Sequence, residues 1–538
     1  MKKINQYILG LGLLVLSLSA FTSCEEETEP ATSYATTNQM QRSSAATEAL
    51  LSAIPSSLNT VWDRDYHYSW GYGSIMKIRD VMTADEALSE GGYNQYAQWI
   101  ECSGIGRDYA VTQFIWNYFY KMVLTTNNLI LAVDPGTATT QQLGYLGAAY
   151  AFRAMFYLDM ARMYEFLPNE KFPDGKNSDG NVVTNLTCPI VKAGMSKEDA
   201  RKNPRATRED MKKFIEGDLN NAEQNIDKLT DTRDNTLPDK ACVYGLKARL
   251  YMWVEDYAKA EEYAKKAIAA AKVTPVTKAV ALNPTTGFNT TAPWMWGSNQ
   301  TADAATVKTG ILNWTSWMSN ETTFGYNGAG AVHCMIGKEL YDRISDTDWR
   351  KLYWKAPASS PLAGQVPYLK ASYKTALSTY ASIKFRPGQG NDGESSVAAA
   401  CAYPLMRVEE MYFIEAEAAA QQNKLADAKT VLNNIMQTRD ANYNCLLTDK
   451  DAIIEEIVFQ KRVELWGEGQ SFFDIKRLNY SVKRGYVDTN FYELGRYNTN
   501  GRPAWMNLCI VITEENNNSA VKGYNNPDPS SRYTPYIK

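Results

Sequence analysis

The sequence predicts an all-α-dominated fold, in which tetratricopeptide-like helix hairpins flank a long loop-rich region with short strands. Two observations predict it. Apolar residues recur every three or four positions through residues 208–229, 240–271 and 406–439, which is the period of one face of an α-helix. Residues 275–400 lack this period and are rich in Gly, Pro, Thr, Asn and Trp, a composition typical of loops and short strands.

The segment 208–229 shows the helical period clearly. Its apolar side chains advance by three or four positions at a time, at Met211, Phe214, Ile215, Leu219, Ala222, Ile226 and Leu229. Residues with this spacing share one face of a helix. We therefore expect a single amphipathic helix here.

Two segments each combine a pair of helices with a short break. The break lies at Glu255-Asp256 in the first pair and at Gln422-Asn423-Lys424 in the second. Alanines at the contact positions let two antiparallel helices approach closely, as in tetratricopeptide repeats. We expect helix hairpins at residues 110–167, 208–271 and 406–480.

The loop-rich region contains one segment with the alternation of a strand. Trp294 and Trp296 are separated by one residue. Successive side chains of a strand point to opposite faces, and residues two apart share a face. We expect a short strand at this point, with at least one of the two indole rings directed inward.

The N-terminus has the organisation of an export signal. Lys2 and Lys3 precede an apolar run over residues 8–20, and small residues lead to Cys24. This run is short for a membrane-spanning helix. The order resembles a bacterial lipoprotein signal, in which the cysteine is acylated and becomes the first residue of the mature protein. The alternative is an ordinary cleaved signal peptide with an incidental cysteine.

The residues after Cys24 predict a tether. Glu25, Glu26 and Glu27 follow the cysteine directly, and Thr and Ser dominate the stretch up to residue 44. This acidic run resembles the signal for export to the cell surface that follows the cysteine in Bacteroidetes-type lipoproteins. We therefore predict a signal peptide at 1–23, a flexible tether at 24–44 and a folded body at 45–538. The expected location is the outer membrane, lipid-anchored at Cys24 and facing the cell exterior.

Composition excludes several kinds of ligand. The net charge is −4 and charges of both signs are interleaved, so nothing indicates a nucleic-acid partner. The chain has two histidines, and the cysteines after Cys24 occur singly. We expect neither a metal site nor a cofactor. Free, buried thiols are expected instead of disulfides, at Cys102, Cys188, Cys242, Cys334, Cys401, Cys445 and Cys509.

Five segments between residues 116 and 477 resemble, in the same order, the motifs of the SusD/RagB family of outer-membrane nutrient-uptake lipoproteins. They read "WNYFYKMVLTTNNLI", "FRAMFYLDMARMYEFLP", "ATREDMKKFIEGDLNNAE", "RVEEMYFIEAEAAAQQNKLADAKTVLNNI" and "QKRVELWGEGQSFFDIKRL". The chain departs from the family at Glu165, where a Gly is usual, at Gly467, where an apolar residue is usual, and at Ser471-Phe472, which replaces an Arg-Trp pair.

The resemblance implies a SusD-like helical scaffold without catalytic residues. Members of this family are surface lipoproteins that bind glycans, or in some cases peptides, and close as a lid over a TonB-dependent transporter. We accordingly expect a glycan ligand and a SusC-like transporter as partners. The loop-rich part, about 273–400, would carry the ligand site between helical parts at about 45–272 and 401–538.

The charged motif residues are predicted to be structural. We expect Asp218 to hold two helices together. Buried or half-buried ion pairs are expected at Arg462, Glu464, Glu468 and Asp474.

Aromatic residues supply the candidate ligand site. The chain has 34 Tyr and 13 Trp against 16 Phe, and the polar edge of Tyr and Trp favours partly hydrated surfaces. A Trp or Tyr plane meets the C–H face of a sugar, while Asn, Asp and Arg satisfy its hydroxyls. The predicted ligand-binding residues are Trp70, Arg79, Trp99, Trp296, Trp317 and Tyr326. The alternative is that half or more of the tryptophans belong to the core.

Three classes of function remain open from the sequence. The first is a non-enzymatic surface protein that captures glycan, or peptide, for uptake. The second is a surface glycoside hydrolase, which needs two carboxylates facing a cleft. The third is a helical-repeat scaffold whose aromatic residues are all core. The sequence does not name the ligand.

Overall fold

The computed structural model describes residues 43–62, 66–89 and 93–537. The predicted signal peptide, Cys24 and nearly all of the tether lie outside these residues. No helix in the described ranges is long and apolar enough to cross a membrane.

Long helices dominate the N-terminal half of the described chain. The helix Thr140–Tyr164 begins with a capping box, in which Thr139 and Gln142 satisfy each other's backbone N–H groups. The helices of this half are α1 Ser44–Ser57, α2 Tyr72–Val81, α3 Ala97–Ile100, α4 Ala110–Ala132, α5 Thr140–Tyr164, α6 Lys197–Ala200, α7 Arg208–Asn225, α8 Lys240–Trp253 and α9 Tyr257–Ala270.

Short elements make up the middle of the chain, as its composition predicted. Its helices have four to six residues: α10 Lys278–Ala281, α11 Ala305–Lys308, α12 Trp314–Met318, α13 Lys338–Arg343, α14 Tyr373–Ala376 and α15 Ser395–Ala398.

The strands described are short and come from all parts of the chain: β1 Glu86–Leu88, β2 Leu186–Pro189, β3 Arg205–Thr207, β4 Trp296–Asn299, β5 Cys334–Ile336 and β6 Ala402–Met406. They form three antiparallel pairs, β1 with β5, β2 with β3 and β4 with β6.

Helices return in the C-terminal part. They are α16 Val408–Gln421, α17 Leu425–Met436, α18 Lys450–Glu464, α19 Ser471–Arg477 and α20 Ile512–Asn517. Single 3₁₀ turns occur at Ile226–Lys228, Trp349–Tyr353, Gly388–Gly390, Glu493–Gly495 and Ala504–Met506.

The predicted helix hairpins are present, with their breaks where the sequence placed them. Glu255 adopts a φ of 62°, and Asp256 then caps the N-terminus of α9. Asn423 likewise adopts a φ of 62° between α16 and α17. Helix α8 packs on α9, α9 packs on α16, and α16 packs on α17. The two hairpins are therefore stacked side by side, which is consistent with the tetratricopeptide-like prediction.

The charged motif residues form buried ion pairs, as predicted. Asp218 of α7 accepts hydrogen bonds from Arg153 of α5 at 2.6 and 2.8 Å, which ties the two helices together. Arg462 pairs with Asp85, and Asp474 pairs with Lys461 at 2.8 Å.

A larger ionic cluster surrounds Glu464 at the end of α18. Its carboxylate contacts three arginines at 2.9–3.1 Å, from Arg350, Arg407 and Arg439. Arg407 also reaches Glu468 at 3.0 Å. Burial alone would raise the pKa of Glu464, but the three guanidinium groups hold that pKa well below its usual value. We call Glu464 with these three arginines the Glu464 cluster.

One apolar core extends from Leu51 to Tyr533, and a smaller one lies between α16, α17 and α18. The seven cysteines predicted to be free thiols are free and buried. Trp296 opens strand β4, but Trp294 lies before the strand, and both side chains are fully buried.

Candidate functional site

The six residues predicted to bind ligand are all buried. Their exposed fractions run from 0% for Arg79 to 7% for Tyr326. In this structure these side chains do not form an accessible surface, because other protein atoms cover them. The full set is Trp70, Arg79, Trp99, Trp296, Trp317 and Tyr326.

Three of the six have purely internal partners. Trp70 donates a hydrogen bond from Nε1 to the hydroxyl of Tyr96 at 2.8 Å. Trp296 packs edge-on against Phe152, with ring centroids 4.8 Å apart. Arg79 forms an ion pair with Asp159 at 2.7 Å. A charge neutralised inside the core is not available to a ligand.

The other three belong to a continuous row of aromatic rings. Trp317 stacks on Tyr326 at 3.9 Å between centroids and meets Tyr96 edge-on at 4.9 Å. Trp99 lies 5.7 Å from Tyr96 and 5.2 Å from Tyr68. These spacings are typical of favourable aromatic pairs. The row therefore joins residues 66–99 to the loop-rich middle through the core.

The row reaches the surface at Trp62 and Tyr66. Tyr66 stacks on Tyr68 at 5.4 Å and is 37% exposed. Trp62 is half-buried, 6.1 Å from Tyr66 and 6.0 Å from Phe114. We call the row Trp62, Tyr66, Tyr68, Trp99, Tyr96, Trp317 and Tyr326 the aromatic ladder.

The inner end of the ladder also approaches solvent, at His67. The half-buried imidazole accepts or donates a hydrogen bond between Nδ1 and the Tyr326 hydroxyl. Nε1 of Trp317 donates to the backbone oxygen of His67 at 3.1 Å. His67 is therefore hydrogen-bonded to both of the stacked residues, Tyr326 and Trp317.

A cleft of about 180 Å³ opens beside the outer end of the ladder. The chain after α1 supplies one wall and helix α4 supplies the other. Its lining combines three aromatic side chains with polar ones: Thr60, Val61, Trp62, Phe114, Asn117, Tyr118 and Lys121. We call it the Trp62 cleft.

The polar groups of the Trp62 cleft come from one face of α4. Phe114, Asn117, Tyr118 and Lys121 are spaced i, i+3, i+4 and i+7, so they lie one above another on the helix. Asn117 is half-buried and Lys121 is exposed. This face was not predicted from the sequence. The signal for it was the helical spacing, because Asn117 and Lys121 follow Phe114 by three and seven residues.

The chemistry of the cleft suits a neutral polyhydroxylated ligand. Asn117 both donates and accepts hydrogen bonds, and Lys121 donates. Burial raises the pKa of Tyr118 well above its usual value, so its hydroxyl stays neutral. Among the residues that the structure describes, those that line the cleft include no carboxylate.

Two other open grooves are lined mainly by charged and polar or aliphatic residues, with little aromatic surface. The larger, about 440 Å³, lies beside Glu48, Asp231 and Arg233, and the second, about 240 Å³, lies beside Arg343 and Lys483. Each has charged walls and a single tyrosine. Among these three, only the Trp62 cleft has more than one aromatic residue in its lining. Trp62 is half-buried, whereas Phe114 and Tyr118 are buried.

The C-terminal third of the chain matches a protein-family model, and most of the chain is similar in fold to solved structures. Residues 358–531 match the model of the SusD family. A search of curated proteins found no matching relative.

Solved structures with a similar fold come from Bacteroides species. A SusD-like carbohydrate binding protein from Bacteroides vulgatus ATCC 8482 is 22% identical, with a TM-score of 0.68 over 88% of this chain and 96% of that one. A SusD superfamily protein from Bacteroides thetaiotaomicron VPI-5482 is 18% identical, with a TM-score of 0.65 over 90% of this chain and 99% of that one.

A third structure was solved with a sugar bound. Surface glycan-binding protein A from Bacteroides thetaiotaomicron, in complex with laminarihexaose, is 17% identical, with a TM-score of 0.60 over 90% of this chain and 99% of that one. The family match at residues 358–531 and the shared SusD-like fold confirm the resemblance to the SusD/RagB family that the five sequence motifs predicted.

Proposed function

We propose that this protein is a non-enzymatic cell-surface lipoprotein that binds an oligosaccharide at the Trp62 cleft. The observation that carries the proposal is the half-buried ring of Trp62 beside an amide, from Asn117, and an ammonium group, from Lys121, in one cleft. The laminarihexaose complex of a protein with this fold supports a glycan as the ligand class.

A sugar ring would stack on the half-buried Trp62 and extend toward Tyr66. Burial of apolar surface contributes about 25 cal/mol per Å², so one stacked ring contributes roughly 1–3 kcal/mol. Asn117 and Lys121 would pair with the hydroxyls, which lose hydrogen bonds to water when the sugar binds.

Affinity measurements on the purified protein test this site. We expect laminarihexaose or another oligosaccharide of a glycan panel to bind, and Trp62→Ala to weaken that binding about 5- to 150-fold. Tyr524→Ala is the matched control, because Tyr524 is exposed to 43% and is not among the residues lining the cleft. Unchanged affinity in Trp62→Ala would place the glycan elsewhere.

The same panel separates the other functional classes. New reducing ends during incubation would indicate a hydrolase. Binding of peptides in place of glycans would assign the peptide-binding alternative, and binding of neither class would leave a scaffold.

The anchoring and transport roles are part of the proposal. Cys24 would carry the lipid, and the body would close over a SusC-like TonB-dependent transporter in the outer membrane. We expect Cys24→Ala to shift the protein from the membrane to the soluble fraction, because a lipid is the only anchor proposed. Replacing Glu25 to Glu27 with Ala should keep the lipid but reduce cleavage by external protease. Co-purification of wild-type protein with a large barrel transporter tests the partnership.

A further inference from the structure

A small cavity of about 30 Å³ lies where helices α5, α8, α16, α18 and α19 meet, and none of its lining residues lines the Trp62 cleft. This volume holds about two water molecules. Six of its lining residues are basic: Arg162, Arg208, Arg249, Lys461, Lys476 and Arg477. Only three are acidic, namely Glu165, Glu410 and Asp474.

Ion pairs neutralise three of the basic groups. Arg208 pairs with Glu165 at 2.8 Å, and Lys461 pairs with Asp474 at 2.8 Å. The guanidinium of Arg249 binds both oxygens of the Glu410 carboxylate. These pairs use all three carboxylates that face the cavity.

The remaining basic groups share carboxylates or have none. Arg162 shares Asp159 with Arg79. Arg477 contacts Glu417 at 2.6 Å and Asp474 at 3.1 Å, although Asp474 already serves Lys461. With these neighbours included, seven basic side chains share five carboxylates around the cavity.

Lys476 has no carboxylate partner among its hydrogen bonds. Its ammonium donates to the backbone oxygens of Arg162, Met163 and Glu165 at 2.7–3.1 Å. Burial, with the basic groups around it, lowers the pKa of Lys476 well below its usual value. Loss of its proton would still leave an excess of positive charge, because the arginines remain protonated.

An unsatisfied donor completes the site. Nη1 of Arg477 has no hydrogen-bond partner, and the side chain is only 6% exposed. A buried charged donor without a partner costs free energy comparable to a lost hydrogen bond. Both deficits, the missing negative charge and the missing acceptor, concern the same cavity.

We propose that this cavity is a binding site for one small inorganic anion of the size of chloride, held by Nη1 of Arg477. One such ion is little larger than a water molecule, so it fits the volume. It also supplies the acceptor that Arg477 lacks and the charge that the carboxylates do not. The proposal is independent of glycan binding.

Halide substitution tests the site on the mature protein. We expect the melting temperature to rise by at least about 2 °C, in a saturable manner, when gluconate is replaced by chloride or bromide at constant ionic strength. Crystals grown in bromide should show an anomalous peak within hydrogen-bond distance of Arg477. Equal melting temperatures together with no anomalous peak, which is the result for a water-filled cavity, would overturn the proposal.

A conservative variant adds a control. Arg477→Lys keeps the charge but removes the planar donor pair, and should weaken the apparent halide affinity about tenfold or more. Arg343→Lys changes an arginine that is 42% exposed and pairs with Glu455, and should retain the wild-type halide response. An unaltered response in folded Arg477→Lys would also count against the site. If that variant does not fold, the wild-type anomalous map decides.

Discussion

The Glu464 cluster is buried throughout, whereas the aromatic ladder runs from the core to the surface, and only the burial of the first was recognisable from the sequence. In the cluster, one carboxylate contacts three arginines at 2.9–3.1 Å. In the ladder, Tyr66 is 37% exposed while its stacking partner Tyr68 is 5% exposed. The same residue type therefore occupies core and surface within two positions of the chain.

The difference has an energetic cause. A buried charge must be paired, so charged residues spaced on helices inside a motif indicate ion pairs. Tyr and Trp are stable both in the core and at a wet surface, because they combine an apolar body with a polar edge. Composition alone therefore predicts a buried charge better than it predicts an exposed ring.

The largest expected effect is on the Glu464 cluster. Glu464→Gln removes the charge but keeps the shape, which leaves three buried arginines without their shared partner. We expect a loss of about 3–5 kcal/mol in the free energy of unfolding. Denaturant unfolding measures it, with Glu455→Gln on the same helix as control. That carboxylate is 62% exposed, so its loss should cost less than about 1 kcal/mol. Similar losses of unfolding free energy in Glu464→Gln and Glu455→Gln would show that the buried cluster contributes no more than an exposed ion pair.

Trp317→Ala should be nearly as damaging. The side chain is fully buried and stacks on Tyr326, and truncation of a core Trp costs about 3–5 kcal/mol. We expect a large fall in melting temperature with little change in the affinity of the folded fraction for oligosaccharide. A fall in affinity at unchanged melting temperature would restore Trp317 to the ligand site.

Acid should weaken the fold through Asp159. Burial alone would raise the pKa of Asp159, but Arg79, Arg162 and the hydroxyl of Tyr72 hold it at about 2. The folded pKa is thus below the unfolded value of about 3.9. This stabilisation, roughly 2.5 kcal/mol, is complete above about pH 5 and is lost progressively as the pH falls through 4 toward 2 and below. In Asp159→Asn, the pH dependence of unfolding between 4 and 2 should be shallower; an identical slope would contradict the assignment.

The smallest effect separates the two stacked tyrosines. Tyr66→Ala should reduce oligosaccharide affinity by roughly tenfold with little change in melting temperature, because its ring is partly exposed beside Trp62. Tyr68→Ala should instead lower the melting temperature, because its ring is buried against Trp99 and Phe114. The prediction fails if the two variants have the same profile.

Local pattern alone predicted much of the scaffold. The helical period at 208–229, the breaks near Glu255 and Asn423, and the motif charges reappear as helices, left-handed turns and ion pairs. These features depend on interactions within a few residues or on the cost of burying charge. The glycine at 467, a departure from the family motif, also has a local reason: its φ is +76° and a Cβ would lie 2.5 Å from the ring of Phe385. The signal peptide and the lipid anchor remain predictions from the sequence.

The sequence by itself determined the helical class, the family resemblance and the free thiols, because periodicity, motif order and cysteine spacing are properties of the chain. Only the tertiary structure decided which aromatic rings are accessible. Exposure depends on which segments meet: the ring of Trp317 is covered by Tyr326, from the same loop-rich region, and by Tyr96, from a distant part of the chain. The same long-range packing places the half-buried Trp62 beside helix α4, where Asn117 and Lys121 also line the cleft.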